Sequence, residues 1–208
     1  MIRVTARWLA GIGALALSAC ASAPLHYYTL IAPAAAAADA PDAARRGVTT
    51  LPFELLPVSL PAQVDQPQLV VRDGAQGMLL LNGERWIAPL GDELRSALAA
   101  DLVRALPSRD ASGLPGNDQP RLRIQLDVRR FDSQPGSYAL IAGTWNVRVV
   151  NGAHAATVTC ASSVQESVGP GYAALVQGHQ RAVAALAAQI AVVARALSTG
   201  PSAVCPVQ

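Results

Sequence analysis

The chain has 208 residues, of which 51% are hydrophobic and 14% charged. Its formal charge is +2, every basic residue is arginine, and setting aside Arg3 and Arg7 leaves positive and negative side chains in balance. Such a balance offers no electrostatic footprint for nucleic acid, and the length suits one domain with a real core rather than two.

The N-terminus places Arg3 and Arg7 before an apolar run from Trp8 to Leu17, followed by small residues. This is the layout of a secretory signal peptide over residues 1–19, and the run falls short of the roughly 20 apolar residues needed to span a bilayer. Leu17-Ser18-Ala19-Cys20 resembles the bacterial lipobox, so cleavage is expected after Ala19 and diacylglycerol on the Cys20 thiol. The acyl anchor is the only non-protein group expected. Each buried acyl methylene contributes about 0.8 kcal/mol, so two or three chains hold a protein on a membrane. Ala21 stands where an aspartate would signal inner-membrane retention, which favours the periplasmic leaflet of the outer membrane. Residues 20–25 then form a tether, and 26–208 a single periplasmic domain.

His26-Tyr27-Tyr28-Thr29-Leu30 reads as a strand, and the alanine-rich stretch 33–47 as a surface loop without periodicity to bury. Residues 52–61 predict a strand that Pro57 assigns to an edge or a bulge. Gln68 to Arg72 is a short strand closed by Asp73-Gly74. Met78 to Leu81 and Arg85 to Ile87 flank Asn82-Gly83, the dipeptide favoured in type I′ hairpins. Leu90, Leu94, Leu98, Leu102 and Leu106 form the apolar row of a helix over 90–106, with Asp92, Glu93, Arg95 and Arg104 on the other side, and Pro107 ends it. After a loop, Arg121 to Phe131 alternates as a half-buried antiparallel strand. Asp132 to Ser137 reads as a turn, and strands over 138–150 and 155–168 follow around Asn151-Gly152. Tyr172, Val176, His179, Val183, Leu186, Ile190, Val193 and Leu197 share one face of a final helix stopped by Gly200-Pro201. The order predicts an α+β fold: a mainly antiparallel sheet built from two meanders, with two amphipathic helices packed on one face.

With Cys20 assigned to lipid, Cys160 and Cys205 remain as a pair for an oxidising compartment. A disulfide would clip the tail onto a strand and close a loop of about 45 residues, contributing ~3–4 kcal/mol in chain-entropy terms; two free thiols are the alternative. Catalytic material is poor. His26, His154 and His179 have no partners at metal-ligand spacing, and neither a Gly-x-Ser-x-Gly elbow nor a phosphate-cradling loop occurs. No catalytic or metal site is expected, and His179 on an apolar stripe reads as a packed or interface histidine.

The lipobox cysteine is followed by Tyr27-Tyr28-Thr29-Leu30, by Pro57-Val58-Ser59-Leu60-Pro61, and by the run from Val64-Asp65-Gln66-Pro67 to Arg72. Arg85-Trp86-Ile87-Ala88-Pro89-Leu90, Phe131-Asp132 and Trp145 come next. Together, in this order, these groups resemble the ABC-type transport auxiliary lipoproteins of the PqiC/YmbA type over nearly the whole mature chain. The alanine-rich stretch, Gln66 where arginine is common and Ile87 where alanine is common depart from the pattern.

The resemblance implies a non-enzymatic accessory of an ABC transport system of the mammalian-cell-entry (MCE) type, docking a periplasmic lipid conduit at the outer membrane. The expected partners are an MCE-domain protein, the membrane through the anchor, and further copies in a homo-oligomer. Tyr27, Tyr28, Leu30, Asp65, Arg72, Arg85 and Trp86 are the candidate partner-binding residues. Each has a plainer role open to it. One of the two tyrosines should face the core, Arg85-Trp86 should stack and cap the first helix, Asp65 should close a turn, and Trp145 should be core. Two other classes stay open: a structural or assembly lipoprotein supporting an outer-membrane β-barrel or envelope complex, and a periplasmic enzyme or lipid carrier.

Overall fold

A computed structural model describes residues 24–33, 50–114 and 118–207. The signal peptide, Cys20 and most of the alanine-rich stretch expected from sequence lie outside these residues.

The described residues form seven strands and two helices: β1 (His26–Tyr28), β2 (Phe53–Leu55), β3 (Gln68–Asp73), β4 (Gly77–Trp86), α1 (Leu90–Ala105), β5 (Arg121–Gln134), β6 (Tyr138–Val150), β7 (Thr157–Ser167) and α2 (Tyr172–Thr199). They form two mixed, mainly antiparallel sheets, ordered β1-β4-β3 and β2-β5-β6-β7, with both helices packed against them. The α+β expectation holds. The two edge pairings, β1 with β4 and β2 with β5, are parallel, which periodicity alone does not signal.

The larger sheet follows its alternation closely. Leu122, Ile124, Leu126 and Val128 of β5 are buried with Trp145, Val147 and Val149 of β6, while Arg121, Arg123 and Gln125 stay at the surface. Against this face lies α2, whose stripe from Val176 to Leu197 is buried as its 3.6-residue spacing requires. Helix α2 is long and apolar enough to cross a membrane, but half of its most apolar window is covered by the protein's own core. Trp145 is core: its indole Nε1 donates to Ser162 Oγ at 2.8 Å, and Ser162 donates to Gln189 Oε1. This chain joins β6, β7 and α2 without leaving a buried polar atom unpaired.

Strand β5 runs past Phe131 to Gln134, beyond the expected turn, because its register shifts between Val128 and Arg130. A bulge changes which residues face inward. Phe131 and Ser133 thereby turn toward α2, where the Phe131 ring stacks on His179 at 4.0 Å and Ser133 Oγ lies 2.8 Å from His179 Nε2. Asp132 turns the opposite way, toward β3. Gly143 sits opposite the bulge, where a Cβ would collide with the Asp127 carbonyl oxygen; only glycine tolerates that approach.

Three expectations need correction. Asn82-Gly83 is not a hairpin turn but the interior of one continuous strand, β4. A type I′ turn needs positive φ at both central residues, and neither has it. The hairpin instead turns at Asp73–Gly77, with Gly74 at φ 66°. The three residues 82–84 lie opposite a register shift between Gln68 and Leu69. Glu93, assigned to the outer face of α1, is 4% exposed and buried. The strand expected across 52–61 shortens to Phe53–Leu55, with a single bridge resuming from Ser59 to Asp127 beyond Pro57.

The cysteines meet as expected: Cys160 and Cys205 form a disulfide with Cα atoms 5.6 Å apart. It holds the tail against the outer edge of β7, where the Cys205 sulfur also contacts the Thr159 carbonyl oxygen. An exposed edge strand is thereby blunted.

Candidate functional site

Two carboxylates fix the start of the described domain. Tyr28 hydroxyl donates to Glu84 Oε2 at 2.7 Å, and His26 Nδ1 lies 3.0 Å from Glu84 Oε1. Burial and the hydrogen bond to Glu84 push the Tyr28 hydroxyl up to about 12. Burial alone would raise the Glu84 carboxyl, but hydrogen bonds from Tyr28 and His26 outweigh it and hold the group below its usual range. One turn into α1, Glu93 Oε2 accepts from Thr29 Oγ1 and from the Leu30 backbone, both at 2.8 Å. Gln180 of α2 donates to the Thr29 carbonyl at 3.0 Å. Both helices and β4 thus grip residues 26–31. A buried carboxylate that accepts two hydrogen bonds is costly to remove, since its donors are left unpaired.

This grip leaves a groove of about 800 Å³ between residues 27–33, α1 and the N-terminal half of α2. Its walls are mainly apolar, from Tyr27, Pro33, Val176 and Ala184, with Arg104 and Arg181 among its polar lining. Both arginines are paired, Arg104 with Asp101 and Arg181 with Glu166.

A second cluster joins the two sheets. Arg72 of β3 holds Asp132 of β5 through two parallel bonds of 2.7 and 2.8 Å, and Arg130 adds a third of 2.8 Å. Burial opposes ionisation of Asp132, yet the two guanidinium groups keep its carboxyl below the ordinary range. Paired forks of this kind fix orientation as well as charge. Beside it, a pocket of about 340 Å³ is lined by Arg72, Met78, Arg129 and Arg130 among others.

The residues singled out from sequence separate into interior and surface. Leu30 (1% exposed) and Trp86 (5%) lie in the core. Trp86 meets Phe131 edge-on, with ring centroids 6.1 Å apart, and Arg85 donates to the Asn82 carbonyl. The expected cap on α1 is absent: Pro89 occupies that position with no side-chain bond. Tyr27 is 55% exposed while Tyr28 is half-buried, the division expected of neighbours on a strand. Asp65 is exposed after a turn closed by backbone bonds to Pro61, and Arg72 is committed to Asp132. The sequence reading missed Glu84 and Glu93. A capping-type signal would not have found them, since their partners lie 56 to 64 positions away.

Among the described residues, no group of three or more His, Cys, Asp or Glu side chains is placed to hold a metal ion. The geometry is that of a rigid frame presenting surfaces.

No curated protein matches the chain. Two crystal structures share the fold. One, of a protein described only as uncharacterized, is 19% identical, with a TM-score of 0.62 over 81% of this chain and 97% of that one. The other, from Xanthomonas campestris, is 18% identical, with a TM-score of 0.50 over 70% and 85%. The family described as ABC-type transport auxiliary lipoprotein component matches residues 28–191, from the end of β1 to the C-terminal half of α2. The chain therefore belongs to that family.

Proposed function

We propose that this protein is a non-catalytic accessory of an MCE/ABC-type intermembrane lipid transport system. In this reading it is anchored by an acylated Cys20 in the inner leaflet of the outer membrane, where it docks the periplasmic conduit. The observation that carries the reading is the family match, which begins at Tyr28, eight residues after the lipobox cysteine, and takes in both sheets and both helices. The family is one of transport auxiliaries, and its energy source belongs to other chains.

The docking partner is an MCE-domain protein, met by exposed residues at the β1 end of the domain. Tyr27 and Asp65 are the exposed sequence candidates and Arg85 is half-buried beside them; Tyr28, Leu30, Arg72 and Trp86 hold the frame behind. Aromatic and arginine side chains are the types enriched at interfaces. Several copies assembled as a homo-oligomer would repeat this surface around a conduit.

Affinity capture of the acylated protein from cell envelopes tests the reading. Recovery of an MCE-domain protein is expected, weakened by Tyr27→Ala. Recovery of an outer-membrane β-barrel instead would establish the structural-lipoprotein alternative and overturn the proposal.

A further inference from the structure

Met78, Leu79 and Leu80 of β4 are 41, 49 and 45% exposed, the one run of three consecutive exposed large apolar residues among the described residues. Alternate residues of a strand face opposite sides, so β4 is uncovered on both faces here. Among the described residues it is also open at its edge: β3 pairs along one side, whereas β1 on the other reaches only Glu84–Trp86. A contiguous exposed apolar run of this kind marks a contact surface.

Chain direction says what lies opposite. Because β1 runs parallel to β4, moving back from His26 toward the N-terminus leads from Glu84 toward Met78, and the Pro24 carbonyl already lies alongside Gly83. Cys20 stands six residues before His26, a reach of at most about 20 Å. If Cys20 is acylated, as the proposed function holds, the bilayer surface lies within that distance of His26, at the end of β1 that points back along β4 toward Met78. The same end of β4 borders the pocket lined by Met78, Arg129 and Arg130, whose guanidinium-bearing side chains are 69 and 56% exposed. Arginine forks match phosphate oxygens.

We propose that Met78–Leu80, with Arg129 and Arg130 beside them, form a phospholipid-contact surface that seats the anchored domain on the membrane in a fixed orientation. The apolar side chains enter the boundary between headgroups and acyl chains, and the arginines meet headgroup phosphates. A protein strand added at the same edge would pair the backbone but leave side chains on both faces of β4 in water. The bilayer interface covers both faces, and its water and headgroups supply partners for the edge. Asp127 and Asp132 offset much of the local positive charge, so binding draws chiefly on the apolar run and needs only a modest fraction of anionic lipid.

The test uses the chain from Ala21 onward, which keeps every described residue and carries no acyl group, with vesicles of phosphatidylethanolamine and phosphatidylglycerol at 3:1. Flotation with the vesicles is expected for the parent. The triple variant Met78→Ser, Leu79→Ser, Leu80→Ser should reduce it by at least about tenfold, with an unchanged melting temperature. Val192→Ser, at an apolar residue of α2 that is 48% exposed, should leave it unaltered. Failure of the parent to float, or equal flotation of the triple variant, overturns the proposal. So does a triple variant that floats normally but loses capture of its protein partner, which would assign the edge to strand addition. Since the probe lacks the lipid, these outcomes are independent of whether Cys20 is acylated.

Discussion

The sheet β2-β5-β6-β7 and the sheet β1-β4-β3 differ in how fully they cover their apolar residues, although the smaller one also buries Leu69, Val71 and Trp86. In the first, long strands place Leu122, Ile124, Trp145 and Val147 under α2 at 1% exposure or less, leave polar side chains outside, and close the β7 edge with a disulfide-held tail. In the second, strands of three to ten residues leave Tyr27, Met78, Leu79 and Leu80 in solvent on an open edge. In the proposed reading the contrast divides the labour: stability resides in the larger sheet and its helix, and recognition is assigned to the smaller. Residues 26–30 are gripped by carboxylates from β4 and α1, so the smaller sheet is held firmly while presenting apolar groups outward.

The largest effect that would break this division is expected from Trp145→Ala. It removes a fully buried ring and strands the Ser162–Gln189 pair, and should cost about 3–5 kcal/mol in urea unfolding. A loss below ~1 kcal/mol would mean that the larger sheet is not where stability resides. Reduction of Cys160–Cys205 comes next, at about 3–4 kcal/mol for a loop of this length, with a two-proton mass increase as the check that the bond was formed.

Asp132→Asn tests the junction between the sheets. Arg72 and Arg130 lose their carboxylate, and because Arg72 is partly exposed the expected loss is nearer 2 kcal/mol than the full cost of breaking a buried pair. Denaturation should show whether the small sheet then melts separately.

His179 sharpens the comparison through pH. Burial lowers its imidazole to about 3, against a smaller opposing influence from Asp132. The folded state therefore keeps it neutral while the unfolded chain takes a proton below its ordinary value of 6.5. Its contribution is fully present above pH 6.5 and is lost as pH falls from there toward 3, by at most ~1.4 kcal/mol per pH unit. Between pH 7 and 5 the melting temperature should fall, by the equivalent of about 2 kcal/mol, and His179→Gln should flatten that slope. The smallest effect is expected at Tyr27→Ala, within ~0.5 kcal/mol of the parent in stability yet weakened in partner capture. A large stability loss there would erase the division between the two regions.

The same division governs what could be read from sequence. Strict alternation in Arg121–Val128 and the stripe of α2 report a face in contact with a core, so the larger sheet, both helices and the disulfide were legible. Where one residue is inserted at the Val128/Arg130 shift, the alternation breaks, and Asp132 to Gln134 passed for a turn although they continue the strand. Asn82-Gly83 misled for a related reason: its turn propensity is real, but the flanking residues, Leu81 and Arg85 paired with β3 and Glu84 with β1, keep the chain extended. Glu93 looked like part of a solvated helix face because its donors, Thr29 and Leu30, come from a segment over 60 positions away. The motifs that carried the candidate residues fall on or beside β1, β3 and β4. They could not tell that Leu30 and Trp86 pack inward while Tyr27 points out.

In the proposed reading this frame works from a membrane by what it touches. Substitution Cys20→Ala in the full-length chain, followed by membrane fractionation and an assay of the transport pathway, tests it most directly. The account predicts an uncleaved or released protein and a lost pathway; normal processing, retention in the outer-membrane fraction and full transport would contradict it.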